Sequence, residues 1–281
     1  MVHERSRSQR TFAVVGPGRA GTTLAVALAA RGWSAAAVAG RSIDAPSTVR
    51  VAQLLDAAAV EVADAGRDAE LVVVATPDAV IAEAAAALAP DARSGALVIH
   101  LSGACGLEEL DKLRTTRPDV EIGSLHPLQS LPTVELGVER LAGSWCAIDG
   151  PLAVERLAVS LGLRPIRVDA SQRAQYHAAA TVAANHLVAL LAQAMRLADA
   201  VGVPPAALLP LVRATVDNVE ALGAREALTG PVARGDADTV ARHLDALAPE
   251  ERVAYRALAA EALRLTGRDD SELRALLEGA P

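Results

Sequence analysis

A glycine-rich turn between an apolar run and a helical run is the feature that most restricts how this chain can fold. The sequence FAVVGPGRAGTTLAVALAARG begins at Phe12 and contains Gly16-x-Gly18-x-x-Gly21. In a strand–turn–helix unit, Gly16 permits a tight turn, Gly18 lets the backbone approach a pyrophosphate, and Gly21 lets the helix pack close to the strand. The helix N-terminus then faces the negative charge. The pattern predicts a dinucleotide-binding βαβ unit, and the alternative is a tight turn without a ligand.

The residues around this turn predict which dinucleotide is preferred. The second strand ends in AVAGRS, so Arg41 and Ser42 stand where an acidic residue would bind the ribose 2′-hydroxyl of NAD. A guanidinium can instead bind a 2′-phosphate with two hydrogen bonds, which favours NADP(H) unless Arg41 is a solvated loop residue. The predicted cofactor-binding residues are Gly16, Pro17, Gly18, Arg19, Ala20, Gly21, Arg41, Ser42, Thr76 and Pro77.

The first 169 residues alternate β-rich apolar runs with Ala/Leu-rich helical runs, which is typical of a parallel sheet covered by helices. From Ser171 onward only helical periodicity remains. We therefore predict an α/β protein, a Rossmann-type doubly wound parallel sheet followed by an all-α domain. The predicted divisions are a disordered leader (1–10), a dinucleotide-binding domain (11–169) and a helical domain for substrate and dimerisation (170–281). The predicted strands begin at Thr11, Ala35, Val60, Leu71, Ala96, Glu121, Ser144 and Arg164.

The charge and composition of the chain exclude several classes of partner. A net charge of −7 argues against nucleic acid or an anionic membrane as the main partner. Polar residues within the apolar stretch 181–203, among them Asn185 and Arg196, argue against a bilayer span. Cys105 and Cys146 show no disulfide or zinc pattern, so we expect a reducing cytoplasm and no metal.

Three segments at the predicted carboxyl ends of strands are expected to share one crevice, because ligands of open α/β sheets bind there. ATPD contains Thr76 and Pro77. HLSGACG contains Ser102 and Gly103, which either present a hydroxyl and an N–H group to a substrate or form a turn. His126 precedes a proline at a strand end and is either a general acid or a buried histidine bonded to backbone.

A polar stripe interrupts the alanine-rich segment YHAAATVAANH. His177, Thr181 and Asn185 lie at intervals of four, within roughly 80° of one another on an α-helix at about 100° per residue. The stripe is either part of a site or a set of interdomain hydrogen bonds. Arg234, in the helix break ALTGPVARGD, either reaches a substrate anion or lies on the surface, and Asp236 is a candidate N-cap.

Together these segments resemble proteins that join a Rossmann-like domain to a DUF2520 domain. That group lies within the superfamily with an NADP-binding Rossmann domain and a 6-phosphogluconate-dehydrogenase-like helical domain. The superfamily includes ketopantoate and pyrroline-5-carboxylate reductases. The matching segments are GPGRAG (16–21), GRS (40–42), VVVATPD (72–78), HLSG (100–103), SLHPLQS (124–130), YHAAATVAANHLVALL (176–191) and ALTGPVARGD (227–236).

The resemblance implies an NADP(H)-dependent oxidoreductase that reduces a small carbonyl substrate such as a 2-oxo acid. Relatives place a catalytic lysine and an asparagine on the helix that here carries His177 and Asn185, but Lys112 is the only lysine of this chain. An imidazolium at His177 or His126 would then protonate the nascent alkoxide, with Asn185 and Ser102 holding substrate oxygens.

Two alternatives stay open at this stage. One is an oxidoreductase that passes hydride between NADP and the deazaflavin F420. The other is a non-catalytic NADP(H)-binding sensor or partner module, which the missing lysine favours. The predicted site residues are His177, His126 and Asn185 for catalysis, and Ser102, Gly103, Thr181 and Arg234 for substrate. The expected partners are a small-molecule substrate and a second copy of the chain, since such Ala/Leu-rich helices often pair between subunits.

Overall fold

The computed structural model describes residues 10–279. Contacts divide the chain into two compact units, Met1–Asn185 and His186–Pro281. The change from strands to helices comes earlier, after Arg164–Arg167, close to the predicted boundary at residue 169. The predicted leader, residues 1–10, lies outside the described residues except for Arg10.

The first unit is built on one mixed, mostly parallel sheet, which confirms the predicted α/β fold class. Its strand order is β3-β2-β1-β4-β5-β6-β7-β8. The described strands are Thr11–Val15 (β1), Ser34–Ala39 (β2), Ala58–Val60 (β3), Leu71–Val74 (β4), Leu97–His100 (β5), Glu121–Pro127 (β6), Trp145–Asp149 (β7) and Arg164–Arg167 (β8).

Two details differ from the expected sheet. β6 and β7 pair antiparallel, with His126 opposite Ala147, so the sheet is not parallel throughout. The strand predicted from Val60 instead ends there, and Val62–Asp64 forms a 3-10 turn. The short apolar run VEVAD has no pattern that distinguishes a strand from the turn that follows it.

Helices cover both faces of this sheet. The helices of this unit are Arg19–Ala29 (α1), Pro46–Leu54 (α2), Ile81–Leu88 (α3), Asp111–Thr116 (α4), Val134–Leu141 (α5), Leu152–Ser160 (α6) and Arg173–Thr181 (α7). Alternate residues of β1 point to opposite faces. Phe12 and Val14 pack with α1 and α6, whereas Ala13 and Val15 pack with α3 and α4. Each buried leucine or phenylalanine in these two cores contributes about 1.5–3 kcal/mol.

The second unit is all-helical, as predicted for this part of the chain. Its helices are Leu187–Asp199 (α8), Leu208–Leu222 (α9), Ala224–Ala227 (α10), Pro231–Arg234 (α11), Ala237–Ala246 (α12), Pro249–Thr266 (α13) and Ser271–Glu278 (α14). Asp236 caps α12, since its Oδ1 accepts a hydrogen bond of 3.0 Å from the Thr239 N–H, as the sequence predicted. A small core centred on Val240, Leu244 and Leu273 joins α11 to α14.

α8 and α9 bury little apolar surface within the chain. No residue of α9 is buried, and Val188 of α8 is 68% exposed. The continuous helical run Ala170–Asp199 has a mean hydropathy of 1.4 and, by length and composition alone, could cross a membrane. This was not expected from the polar residues in the segment. An apolar helix surface left open by its own chain is also typical of a contact with another protein chain.

Candidate active site

The glycine-rich turn has the close approaches that its motif requires. Gly16 has a φ of +94°, and a Cβ there would lie 2.7 Å from the carbonyl carbon of Ala75 at the end of β4. A Cβ on Gly21 would touch the Gly16 carbonyl oxygen and lie 2.8 Å from the Ala75 Cβ. At Gly18 a Cβ would meet nothing within 4 Å, since this residue borders open space. The turn therefore holds α1 against the sheet and leaves room in front of the helix.

The N-terminus of α1 is open to an anion. Gly18 is its N-cap, so no side chain bonds the first backbone N–H groups of the helix, and no acidic residue lies in its first turn. Those unpaired N–H groups and the helix dipole favour a phosphate at this position.

A cleft of about 1140 Å³ lies in front of this turn. We call it the glycine-rich cleft. The predicted cofactor residues that line it are Gly16, Pro17, Gly18, Arg19, Arg41, Thr76 and Pro77. Ala20, Gly21 and Ser42 lie next to lining residues in the chain but are not part of the wall.

Two features of the cleft fit a phosphorylated ligand. Arg41, exposed at the end of β2, shares the wall with Arg50 of α2. No ion pair holds either guanidinium among residues 10–279, so both can bind an anion. The Thr76 hydroxyl is buried without a hydrogen-bond partner in the same part of the chain. Arg50 was missed by sequence reasoning, since it has no fixed spacing from the glycine motif.

A second group of side chains meets where β5 and β6 end. The Nδ1 atom of His126 lies 2.8 Å from the Tyr176 hydroxyl oxygen. The His126 and His177 rings are 5.7 Å apart, centre to centre, and nearly perpendicular. A Cβ on Gly103 would lie 2.8 Å from ring carbons of both histidines. These four residues, Gly103, His126, Tyr176 and His177, are called the histidine cluster below.

Arg173, one turn before His177, is the buried centre of this region. It has no exposed surface, and its guanidinium donates 3.0 Å hydrogen bonds to the carbonyl oxygens of Ser102 and Cys105. It also donates to the Ser124 hydroxyl on β6. No carboxylate forms an ion pair with it within residues 10–279, and its Nε–H has no partner there. Arg173 therefore ties α7 to two strand ends, a role that the sequence analysis did not assign.

The segment after β5 is a hydrogen-bonded turn. The Ser102 hydroxyl accepts hydrogen bonds from the N–H groups of Ala104 and Cys105, at 3.2 and 2.9 Å. The Nδ1 atom of His100 accepts from the Ser102 N–H, so its Nε2–H donates to the Gly106 carbonyl. Ser102 is 7% exposed. Of the two roles considered for Ser102, the geometry favours the turn, and its contact with a substrate stays a prediction.

Burial changes the acid–base properties of this region. Desolvation, with the neighbouring charges of His177 and Arg173, lowers the pKa of His126 to about 4. Desolvation and Arg173 lower the pKa of His100 to about 4 as well. Desolvation raises the pKa of Tyr176 to about 12, so the phenol keeps its proton. A lowered pKa makes His126 mainly neutral near pH 7, which favours His177 over His126 as the proton donor, and the catalytic role of either histidine stays a prediction.

The rest of the polar stripe is not a regular α-helical face. Val182–His186 is a turn of π-helix, in which each residue advances by about 80° rather than 100°. Four residues at about 80° each fall short of a full rotation. Asn185 therefore lies closer to the side of the helix that carries His177 than it would on a regular α-helix. Thr181 is half-buried and Asn185 is exposed. The roles of Thr181 and Asn185 as site residues stay predictions.

Arg234 lies in the helical unit, at the end of α11, and is exposed. Hydrogen bonds from Thr239 lower the pKa of Asp236, and the positive charge of Arg234 adds to this effect. Its contact with a substrate also stays a prediction. Among residues 10–279, no group of three or more His, Cys, Asp or Glu side chains is placed to hold a metal ion.

Solved structures of similar fold include a protein from Bacteroides fragilis named as a candidate NADP oxidoreductase. It is 24% identical, with 91% of this chain and 98% of that one covered and a TM-score of 0.77. Protein TM1727 from Thermotoga maritima is 26% identical over 95% of this chain and 98% of that one, with a TM-score of 0.63. An imine reductase from Pseudomonas sp. is 18% identical over 96% and 91%, with a TM-score of 0.62.

A search of curated proteins finds no significant match. Family models match two parts of the chain. Residues 4–127 match a Rossmann-like domain, and residues 148–262 match a domain of unknown function, DUF2520. Both matches agree with the sheet and the helices described above. The chain therefore belongs to the proteins that join a Rossmann-like domain to a DUF2520 domain.

Proposed function

We propose that this protein is an NADP(H)-dependent oxidoreductase that reduces a small carbonyl compound of the 2-oxo acid class. The observation that carries the proposal is the presence of a glycine-rich cleft and a histidine cluster at the carboxyl edge of one sheet. β1 and β4 lead to the cleft, and the neighbouring strands β5 and β6 lead to the cluster. Ligands of such sheets bind along this edge. Names of proteins with similar folds, including an NADP oxidoreductase and an imine reductase, support the same class.

The residues of the cleft fit NADP(H). The open N-terminus of α1 would hold the pyrophosphate, and Arg41 would bind the 2′-phosphate. The Thr76 hydroxyl, now without a partner, could bond the ligand beside β4. When bound, the nicotinamide would supply or accept the hydride.

The histidine cluster would handle the proton. The Tyr176 phenol keeps its hydrogen and can donate it to Nδ1 of His126, which leaves a proton on Nε2 of the neutral imidazole. That Nε2–H could hold a substrate oxygen. His177, half-buried beside it, would donate the proton that the oxygen takes up when the carbonyl is reduced.

The cofactor assignment is tested by titrating the protein with NADPH and, separately, NADH while following nicotinamide fluorescence. We expect NADPH to bind more tightly. Arg41→Ala should weaken NADPH by about tenfold or more and leave NADH unchanged, because a charge-assisted hydrogen bond contributes about 1.5–3 kcal/mol. Arg156→Ala, an exposed arginine on α6 of the same unit, is the matched control. Failure of both nucleotides to bind would overturn the proposal.

The catalytic assignment is tested by screening 2-oxo acids for NADPH oxidation by the wild type. The turnover of the wild type is then compared with that of His177→Ala. We expect NADPH binding to be kept and turnover to fall by about 10²-fold or more, the usual contribution of a general acid. His186→Ala, an exposed histidine on the same continuous helical run, should have no effect. If NADPH binds but no 2-oxo acid is turned over, the carbonyl assignment fails, and an F420-linked oxidoreductase and a sensor or partner module are the remaining candidates.

We also propose that two copies of the chain associate through α8 and α9. The supporting observation is their exposed apolar surface, with Leu211 65%, Val216 53% and Leu222 60% exposed on α9. Residues at i and i+11 lie about 20° apart around a helix, so Leu211 and Leu222 share one face. Sedimentation should give twice the monomer mass for the wild type, and Leu211→Arg should shift it toward the monomer. A monomeric wild type would contradict this proposal.

A further inference from the structure

The helical unit contains a cavity of its own. It has a volume of about 450 Å³ and lies among α8, the start of α11, α12 and α13. This volume is within the range of pockets that bind small molecules. Thr229 and Pro231 of the ALTGPVARGD segment form part of its wall. No residue predicted for the cofactor or substrate sites lines it, so neither proposal above uses this cavity.

The cavity wall is mainly aliphatic. Leu190, Ala194 and Leu197 line it from successive turns of α8, and Leu258 and Ala262 line it from α13. Among the residues that line it there is no lysine, arginine, aspartate or glutamate. A ligand with an ionised carboxylate or phosphate would lose its hydration here without a lysine or arginine to pair with. The wall therefore fits an uncharged, largely apolar molecule.

Two polar groups in the wall have defined orientations. Gln193 is 8% exposed, and its Nε2 donates a 2.9 Å hydrogen bond to the carbonyl oxygen of Glu251. Because that partner can only accept, the amide orientation is fixed and Oε1 remains an acceptor. The Tyr255 hydroxyl lies 2.8 Å from Nδ1 of His243, and burial raises the pKa of the phenol. The wall thus offers one oriented acceptor and a phenol–imidazole pair that can donate.

The cavity is separate from the surface proposed for dimerisation. At about 100° per residue, the strongly exposed Val188 lies about 200° around α8 from Leu190, which faces the cavity. No residue of α9 lines the cavity. A second copy that packs on α9 and the Val188 side of α8 would leave the cavity free for a small molecule.

We propose that this cavity is a second ligand site, which binds a small uncharged molecule with an apolar ring or chain and one hydroxyl or amide group. The apolar part contacts the leucine and alanine side chains. The polar group lies between Gln193 Oε1 and the Tyr255–His243 pair. The proposal concerns the helical unit alone and does not depend on the oxidoreductase assignment.

The test uses 4-methylphenol, whose hydroxyl is neutral near pH 7, with 4-methylbenzoate as its charged counterpart. Binding to the full-length protein is followed by NMR, with the His243 ring signal as the local reporter. We expect 4-methylphenol to bind with a Kd of about 0.1–1 mM, typical of a ligand this small, and to shift the His243 signal. The benzoate should bind at least about tenfold more weakly.

Matched variants locate the site. Ala262→Leu fills the cavity and should abolish binding, whereas Ala257→Leu, an exposed position on the same helix, should not. Tyr255→Phe keeps the shape of the wall and should weaken binding by about fivefold to tenfold. If Ala262→Leu does not fold, Tyr255→Phe still tests whether the ligand binds in this cavity. No binding to the wild type, equal binding to Ala262→Leu, or preference for the benzoate would overturn the proposal. If the wild type does not bind the phenol and Ala262→Leu changes the oligomeric state, the cavity is a subunit contact and the proposal is also overturned.

Discussion

The glycine-rich cleft and the histidine cluster lie along the same edge of one sheet, but the chain assembles them in different ways. The turn of the cleft comes from one continuous segment, Gly16 to Gly21, placed against Ala75 of the adjacent strand. The cluster joins His126 to residues 50 and 51 positions later in the sequence, and Gly103 to both histidines. A local motif contains its own geometry, whereas the cluster depends on a buried anchor, Arg173, that holds distant segments together.

Replacing that anchor should have the largest effect on the molecule. Arg173→Met would leave the Ser102 and Cys105 carbonyls and the Ser124 hydroxyl without their partner. We expect the free energy of unfolding to fall by about 3–5 kcal/mol, as for other broken buried charge networks. Urea denaturation measures it.

The matched control for this change is Arg156→Met, an exposed arginine on α6, which should alter stability by less than about 0.5 kcal/mol. If Arg173→Met costs no more than its control, the cluster does not depend on a buried anchor and the contrast with the cleft disappears.

Replacing either of two glycines of the cleft with alanine should affect the stability of the protein to different extents. Gly16→Ala combines a positive φ with a Cβ 2.7 Å from the Ala75 backbone. We expect it to destabilise the protein by about 3 kcal/mol. Gly18→Ala adds a methyl group in open space at a φ of −80°, so stability should hardly change.

NADPH binding should fall in both glycine variants, by about tenfold in Gly18→Ala, because the added methyl group borders the cleft. Thermal unfolding with parallel NADPH titration separates the two effects. Equal loss of stability in both variants would show that the turn does not have the described geometry.

The histidine cluster should make stability depend on pH. The pKa of both His100 and His126 is about 4 in the folded protein, against about 6.5 in an unfolded chain. The unfolded state then binds more protons between these values, so stability is complete above about pH 6.5 and is lost on acidification toward pH 4. Between about pH 7 and pH 5 each histidine should account for about 2 kcal/mol.

Several charges act on His126 in this range. His177 and Arg173 on α7 and His100 on β5 oppose its protonation, whereas the carboxylate of Asp78 favours it. Urea denaturation of the wild type and His126→Gln at about pH 7 and pH 5 measures the effect, in a window above the usual titration of carboxylates. The variant should lose about half of the pH dependence. An unchanged slope would mean that His126 titrates normally and is not desolvated.

How far the sequence predicts these two sites follows from how they are assembled. The glycine spacing and the strands on either side were sufficient to place Gly16, Gly18 and Arg41 in one cleft. For the cluster, His126 and His177 could be named individually, but no pattern showed that their rings approach or that His126 is neutral. Arg173 and Tyr176 were missed, because an arginine at the start of a helix is usually solvated. The π turn at Val182–His186 has no sequence signal that we could use.

The smallest effect concerns a residue of the cleft that its motif does not specify. Arg50 of α2 lines the cleft together with Arg41, and no ion pair with another described residue holds it. If both guanidiniums face the same phosphate, Arg50→Ala should weaken NADPH by about fivefold to tenfold, about 1 kcal/mol, and leave NADH unchanged. The Arg41→Ala/Arg50→Ala double variant should lose less than the sum of the two single losses, because residues that share a partner are not independent. Additive losses would instead place Arg50 outside the phosphate contact. The cleft would then consist of its local motif alone.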